Sequence, residues 1–470
     1  MGRIVVLGGG VCGLATGVLL ARDGHDVDLW ERDPEAAPDS VEDAWVTWDR
    51  RGVKQFRQPH ALQARVKHML ERELPDVYDA LLLAGAAWVD PLERLPDAVE
   101  DRARRPGDER LVSITARRPA LEHVLATIAE NEPRLRIRRG VAAVELTART
   151  SDRCPHVTGV RTEARAEQFD LVVDAMGRGS PLPSWLNAID AAPMFEEGED
   201  SGFAYYTRFF RASTPGAVPQ VRTSGFLTPV GSFSILTLPG DSETWSVTLY
   251  AAAGDAPLKA FRRPDRWEAV VRACPLHRHW LDGEPISEMT IMAGILDRRR
   301  RLVHESRPVV TGIVLVADSW ACTNPSLARG LAFGLDHAAR LRDVVRSHLG
   351  SPNDLAIAWD GVTESEFTPW YAATIATDRA RLAEIRAYQR GEQPLAPADE
   401  AAAIRSRLPL AAMRDATAFR AFMEIVGCLS LPADVFARTE VIRAIHAATE
   451  IEESPRLLGP DRAELVALLS

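Results

Sequence analysis

Cysteine is scarce and scattered. The chain has five in 470 residues, Cys12, Cys154, Cys274, Cys322 and Cys428, with no C-x-x-C pair and no Cys/His cluster. That pattern speaks against both a disulfide framework and a zinc site. Long apolar runs are missing too. None approaches the roughly 18 residues of a spanning helix, so no membrane segment is expected. There is no excess of positive charge. The formal charge is −10 at pH 7, whereas binding to a phosphate backbone wants a basic surface, so nucleic acid is not expected as a partner. The first residues lack the basic, apolar and cleavage regions of a signal peptide, which predicts a cytoplasmic protein. No internal repeat or low-complexity tract is evident. What remains is an ordinary globular composition on a chain long enough for two or three domains.

The informative stretch is at the start. Arg3 to Leu7 is short, apolar and β-branched, as a buried parallel strand should be. Gly8, Gly10 and Gly13 then fit G-x-G-x-x-G, followed by an apolar helix from Val11 and Cys12 onward. The first glycine permits a tight turn, the second lets backbone N–H groups approach a pyrophosphate, and the third lets the helix lie close on the strand. The helix N-terminus offers free N–H groups and a positive dipole end to that pyrophosphate. Glu31 ends the next strand, about 20 residues on, where an acid bonds a ribose hydroxyl. Strand, glycines, helix, strand and acid in this order predict a dinucleotide site, for NAD or FAD. Cys12, inside the glycine turn, reads as a small packing residue.

Further along, helical periodicity covers Leu62 to Leu74 and Val77 to Leu83. Arg110 to Ala116 reads as a strand, and Pro119 sits in the first turn of a helix. Phe169 to Ala175 is another buried-type strand. Phe203 to Phe210, Ser224 to Thr228, Phe233 to Leu238 and Thr244 to Tyr250 read as successive antiparallel strands. The α/β pattern returns with Val309 to Ala317, Asp318 and a helix from Gly330 to His348. From Asn353 onward only helical patterns appear. The expected organisation is α/β: a discontinuous Rossmann-type FAD-binding domain (1–75, 110–185, 290–350), an inserted antiparallel β-sheet substrate domain (76–109, 186–289) and a helical C-terminal region (351–470).

Four stretches together resemble the FAD-dependent monooxygenases of the aromatic-hydroxylase type, closest in look to polyketide epoxidases and related actinobacterial FAD-dependent oxidoreductases. They are the glycine motif; Arg118-Pro119-Ala120-Leu121-Glu122, similar to R-x-x-L-E; Leu171 to Ser180; and Ala317-Asp318 with Asn324-Pro325 and Arg329-Gly330-Leu331-Ala332. The resemblance spans about residues 1 to 345. It implies FAD held at Gly8, Gly10, Val11, Cys12, Gly13, Glu31, Arg32, Arg118, Gly177, Asp318, Pro325, Gly330 and Leu331. Asp318 would bond ribityl or ribose hydroxyls, and the N–H groups at Gly330 would face the flavin N1 and O2 edge. The family's usual aspartate falls on Met176, so the electron source is left between NAD(P)H and a separate flavin reductase as a partner. The usual glycine before Asp318 is Ala317, and glycines near Leu327-Ala328 are missing.

The resemblance implies insertion of one oxygen atom from O2 into an apolar or aromatic secondary metabolite through a flavin C4a-hydroperoxide. The alternatives are an FAD-dependent reductase or dehydrogenase and a non-redox flavin-bearing cyclase. A halogenase is disfavoured because no W-x-W-x-I-P motif is present. The residues expected at the reacting centre are His60, Tyr206 and Trp320. The resemblance implies that the loop of His60 lies near the flavin, where a histidine can switch protonation near neutral pH; otherwise it is a loop histidine bonded to backbone. Strand alternation puts Tyr206 with Arg208 on one face and Tyr205 with Phe203 on the other. Trp320 walls the site or packs in the core. Arg298 to Arg301 reads as a solvated edge, or as an anchor for a 2′-phosphate or an acidic substrate, Trp370 as packing, and Glu364 and Asp378 as facing water.

Overall fold

The computed structural model describes residues 1–150, 154–223, 225–396, 399–449 and 459–470. A five-stranded parallel sheet runs in the order Ile313–Leu315, Leu171–Asp174, Arg3–Leu7, Asp26–Glu31, Leu135–Arg139. Both faces of its central strand are buried, which explains the unbroken apolar run. Ile4 and Val6 pack with the glycine-loop helix Val11–Arg22, while Val5 and Leu7 pack on the opposite side with Trp30 and Leu315. Helices Val11–Arg22, Arg118–Glu130 and Gly330–His348 cover the first of these faces.

The inserted sheet is antiparallel. Phe203–Arg211, Thr244–Ala252, Phe233–Pro239 and Leu227–Val230 lie side by side, with Glu284–Pro285 and Thr290–Met292 on the outer edge. Of the strand expected from Ser224, that residue lies outside the described residues and pairing starts at Leu227. One face of this sheet carries Ala204, Tyr206, Phe210, Phe233 and Trp245 and packs on Phe261 and Trp267 of the following helical segment. Burying such side chains contributes roughly 1.5–3 kcal/mol each. The last helix, Arg462–Leu469, returns to this core through Leu465 and Leu469.

Two further strands have no apolar pattern at all. Phe195–Asp200 pairs antiparallel with Leu296–Arg301, placing Glu196 opposite Arg300 and Glu197 opposite Arg299. The ladder is cross-linked by Arg300–Glu196 at 2.6 Å and Arg299–Glu197 at 2.9 Å, while Arg301 reaches Asp360 at 2.6 Å. The basic run is therefore neither a solvated edge nor a 2′-phosphate anchor over Arg299 to Arg301, since each of these cations is spent on a carboxylate. Arg298 is different, and belongs to the site.

Candidate functional site: a cofactor groove and an adjoining cleft

Gly8 follows the first strand with φ +105°, and a Cβ there would lie 2.6 Å from the Ala175 carbonyl oxygen. At Gly13 a Cβ would stand 1.9 Å from the Gly8 oxygen. The turn thus requires glycine at both positions. Helix Val11–Arg22 opens at Gly10 with no side-chain cap, so the N–H groups of its first turn are left without side-chain partners at the positive end of the helix dipole. Arg118 reaches over this opening, with Nη2 3.7 Å from where a Gly10 Cβ would be.

Glu31 lies at one end of the groove, buried, and is already engaged. Its Oε2 accepts from Gly9 N–H and Arg50 Nη2, both at 2.8 Å, and its Oε1 accepts from Asp33 N–H at 2.9 Å. Arg50 also pairs with Glu122 and approaches Asp33, and Arg118 Nε donates to Glu122 at 3.2 Å. This buried lattice of two arginines and three acids was not anticipated beyond Arg118 and Glu31. Its one sequence signal was the i, i+4 spacing of Arg118 and Glu122. Arg32 is exposed beside Gly52 at the same rim.

Asp318 lies at the other end. It follows Ala317, whose φ of +51° is a left-handed conformation natural to glycine. Among the described residues its carboxylate has no hydrogen bond. Burial pushes its pKa up, offset by the guanidiniums of Arg118, Arg178 and Arg298. Arg298 is buried, with Nε and Nη2 lacking any partner among the described residues. An unpaired buried cation beside an unbonded carboxylate is a costly arrangement unless a polar ligand completes it. Gly177, φ +71°, borders Asp318 and donates its N–H to Ser319 Oγ at 2.8 Å. Asp174, missed in the sequence, anchors this corner: fully buried, it accepts from Met176 N–H, Ser180 Oγ and Ser319 Oγ.

The third wall is the segment Asn324 to Leu331. Pro325–Leu327 forms a single 3-10 turn, Ala328 is left-handed at φ +51°, and helix Gly330–His348 starts uncapped. A Cβ on Gly330 would touch nothing, so its N-terminal face is open, while Leu331 is buried behind it. The two ligand-facing helices cross where a Cβ on Gly334 would strike Cys12 Sγ at 2.4 Å. Cys12 is therefore a packing residue, as expected. Burial, and secondarily Asp318, push its thiol up to about 12.

The three residues expected at the reacting centre are not brought together. His60 borders the groove. Its Nδ1 donates to the Gln58 carbonyl at 2.8 Å, which leaves Nε2 to accept from Arg118 Nη1 at 3.2 Å. Burial and then Arg118 push its pKa down to about 3, so it is a neutral acceptor and not a switch near neutral pH. Tyr206 turns the other way. Alternation sends it into the insert's core, edge-on to Phe261 at 5.6 Å, and it is Phe203, Tyr205 and Phe209 that share the opposite face. Trp320 is buried, 5.2 Å from His337 and 6.1 Å from Phe367, and borders a separate small cavity with Leu315 and Trp359. Both are core residues.

A small cleft of about 190 Å³ adjoins His60, between the loop Pro59–His60 and the inserted sheet. Phe209, Leu238, Pro239 and Ser246 line its sheet side. Its floor is closed by a buried latch: Arg117 donates its backbone N–H and guanidinium to Asp241 at 2.6–3.2 Å.

A family model described as an NAD(P)-binding Rossmann-like domain matches residues 6–71. Protein Rv3254 of Mycobacterium tuberculosis is 25% identical over 359 residues, 73% of this chain and 73% of that protein. PqsL of Pseudomonas aeruginosa, described as a probable FAD-dependent monooxygenase, superposes with a TM-score of 0.60 at 16% identity, over 82% of this chain and 99% of its own. The Diels-Alderase PyrE3 of pyrroindomycin biosynthesis superposes with a TM-score of 0.58 at 17% identity, over 91% of this chain and 80% of its own. No helix among the described residues is long and apolar enough to cross a membrane. The chain shares its fold, a Rossmann-type α/β unit with antiparallel sheets and a helical C-terminal region, with FAD-dependent monooxygenases.

Proposed function

We propose that the protein is an FAD-dependent monooxygenase that acts on an apolar or aromatic small molecule. The observation that carries this reading is the groove itself: two uncapped helix N-termini with carboxylates at either end, the buried Glu31 and the partly buried Asp318, and Arg298 beside the latter with no hydrogen bond to Nε or Nη2 among the described residues. These groups fit FAD. Glu31 and Arg32 would hold the adenosine, the N–H groups of Val11 to Gly13 with Arg118 the pyrophosphate, Asp318 and Gly177 the ribityl region, and Pro325, Gly330 and Leu331 the ring edge. When bound, FAD supplies the electron exchange and the reaction with dioxygen.

The chain's own part is positioning and exclusion of water. Neutral His60 holds Arg118 in place without adding a competing charge to the groove. Phe209, Leu238, Pro239 and Pro59 offer an apolar lining in which few polar contacts would orient a substrate, and a dry cleft suppresses wasteful release of hydrogen peroxide. With Met176 at the position where the resemblance puts an aspartate, electrons would come from NAD(P)H or from a partner reductase.

The test begins with the purified protein, which should be yellow, and with Glu31→Ala and Asp318→Ala, which should lower FAD retention. A colourless protein unchanged by added FAD sinks the cofactor reading. With reduced flavin and substrate, ¹⁸O₂ should label the product. Phe209→Ala should raise peroxide per flavin oxidised, whereas Tyr206→Ala should not. Unlabelled product would leave the reductase or cyclase alternative.

A further inference from the structure

Asp378 is buried, not solvent-facing. It lies on helix Thr368–Gln389, and its Oδ1 accepts from Asn324 Nδ2 at 3.1 Å and Ser326 Oγ at 2.6 Å. These two residues flank Pro325. Asn324 is held on its other sides as well. Its N–H donates to Asp297 Oδ1 at 2.5 Å and its Oδ1 accepts from the Tyr205 hydroxyl at 2.7 Å. Arg329 closes the same segment. Its Nη1 donates to Thr374 Oγ1 at 2.8 Å, and its guanidinium sits 5.1 Å from the centre of the Trp370 ring. Trp370, Thr374 and Asp378 stand at i, i+4 and i+8, one stripe of one helix.

The stripe grips a segment that cannot hold itself. Between Asn324 and Arg329 the backbone makes one 3-10 turn and then a left-handed alanine. Neither conformation supplies a ladder of backbone bonds. Side-chain anchors must fix its position; Asp297, Tyr205 and Gln63, whose Nε2 donates to the Leu327 carbonyl at 2.7 Å, supply some, and a helix some fifty residues further along the chain supplies the rest.

We infer that helix Thr368–Gln389 is part of the cofactor site, with Asp378 as the positioning residue that sets the Asn324–Arg329 segment against the flavin edge. The inference rests on the FAD reading for what the segment faces. Asp378 itself touches neither cofactor nor substrate and acts through Asn324 and Ser326.

The experiment compares wild type, Asp378→Ala, Asp378→Asn and Ser326→Ala by hydrogen exchange of the amides from Asn324 to Leu331, and by FAD titration. Asp378→Ala removes two hydrogen bonds to a charged acceptor. It should speed exchange in this segment by about tenfold or more and weaken FAD by a similar factor. Asp378→Asn keeps an acceptor oxygen and should recover both to within about threefold, while Ser326→Ala should fall between. The absorption spectrum of bound flavin should shift in Asp378→Ala and return in Asp378→Asn, which a merely structural loss would not produce. Unchanged exchange in Asp378→Ala, or faster exchange spread evenly through the protein, overturns the inference. If Asp378→Ala does not fold, Ser326→Ala and Asp378→Asn decide the same question. A wild type that binds no FAD would refute the cofactor reading alone, because the exchange arm needs no flavin.

Discussion

Asp241→Ala should destabilise the protein by about 3–5 kcal/mol, the usual result of breaking one side of a buried ion pair. Asp241 is fully buried in the turn after strand Phe233–Pro239, and the Arg117 side chain is 1% exposed. The carboxylate takes the Arg117 N–H at 2.6 Å, Nε at 3.1 and 3.2 Å, and Nη2 at 2.7 Å. Once it is gone, the remaining acid for the guanidinium is Glu42, a weak contact at 3.4 Å on a half-exposed side chain. The cation then stays buried, stacked over Trp45 at 4.8 Å, with almost nothing to neutralise it. Arg117→Met should cost a similar amount, by stranding the carboxylate. The double variant buries no charge, so its cost should undercut the sum of the singles by about 2 kcal/mol or more. Urea unfolding of the four proteins, with m unchanged, measures the cycle. Additivity within about 0.5 kcal/mol would refute the claim that the two groups act as one latch. Because Arg117 and Gly240 also border the cleft beside His60, Asp241→Ala should in addition raise peroxide release.

Two further outcomes follow from particular residues. Ala317 sits at φ +51°, so Ala317→Gly should leave stability level or raise it by up to about 1 kcal/mol, whereas Ala317→Val, β-branched in the left-handed region, should cost about 2 kcal/mol or more; thermal melts distinguish these, and equal melting temperatures would contradict the backbone geometry. Asp297 has its pKa raised to about 7 by burial, with Asp378, Glu199 and Asp200 adding to the effect. A carboxyl raised above its unfolded value favours the fold while protonated, so that stability is lost as pH rises from about 4 through 7, at roughly 1.4 kcal/mol per unit. Asp297→Asn should therefore gain on wild type between pH 5 and pH 8, and parallel melting curves across that range would refute it.

The legible parts of this chain are those whose stability is local or periodic. Arg3–Leu7 and Leu171–Asp174 announce themselves because both faces are buried, and the glycine turn because its Cβ positions are filled by neighbouring backbone. The charged strands Phe195–Asp200 and Leu296–Arg301 do not, since ion pairs between segments about a hundred residues apart hold them and neither has an apolar face. The Tyr205/Tyr206 choice was undecidable from the strand alone. Both faces of Phe203–Arg211 are apolar, and which one meets the groove depends on where Phe261 and Trp267 pack. Asp378 looked like a helix-surface acid because its partners lie on an irregular loop, where no periodicity points.

This division also explains how a fold can persist at 12–17% identity to solved structures. The groove relies on backbone N–H groups at two helix starts, and most side chains around it serve to fix that backbone. At Ala317 and Ala328 the backbone adopts the left-handed conformation without a glycine. On the proposed function, chemistry specific to one ligand would come from elsewhere, and the inserted sheet would supply it by its period of two. Ala204, Tyr206 and Phe210 are committed to the core with Phe261 and Trp267. Tyr205 and Phe209, one position away, face the Asn324 loop and the cleft. A change at Phe209 can thus alter what the cleft accepts, a change at Tyr205 acts on the Asn324 loop and the Tyr250 stack, and a change at Tyr206 or Phe210 acts on stability first.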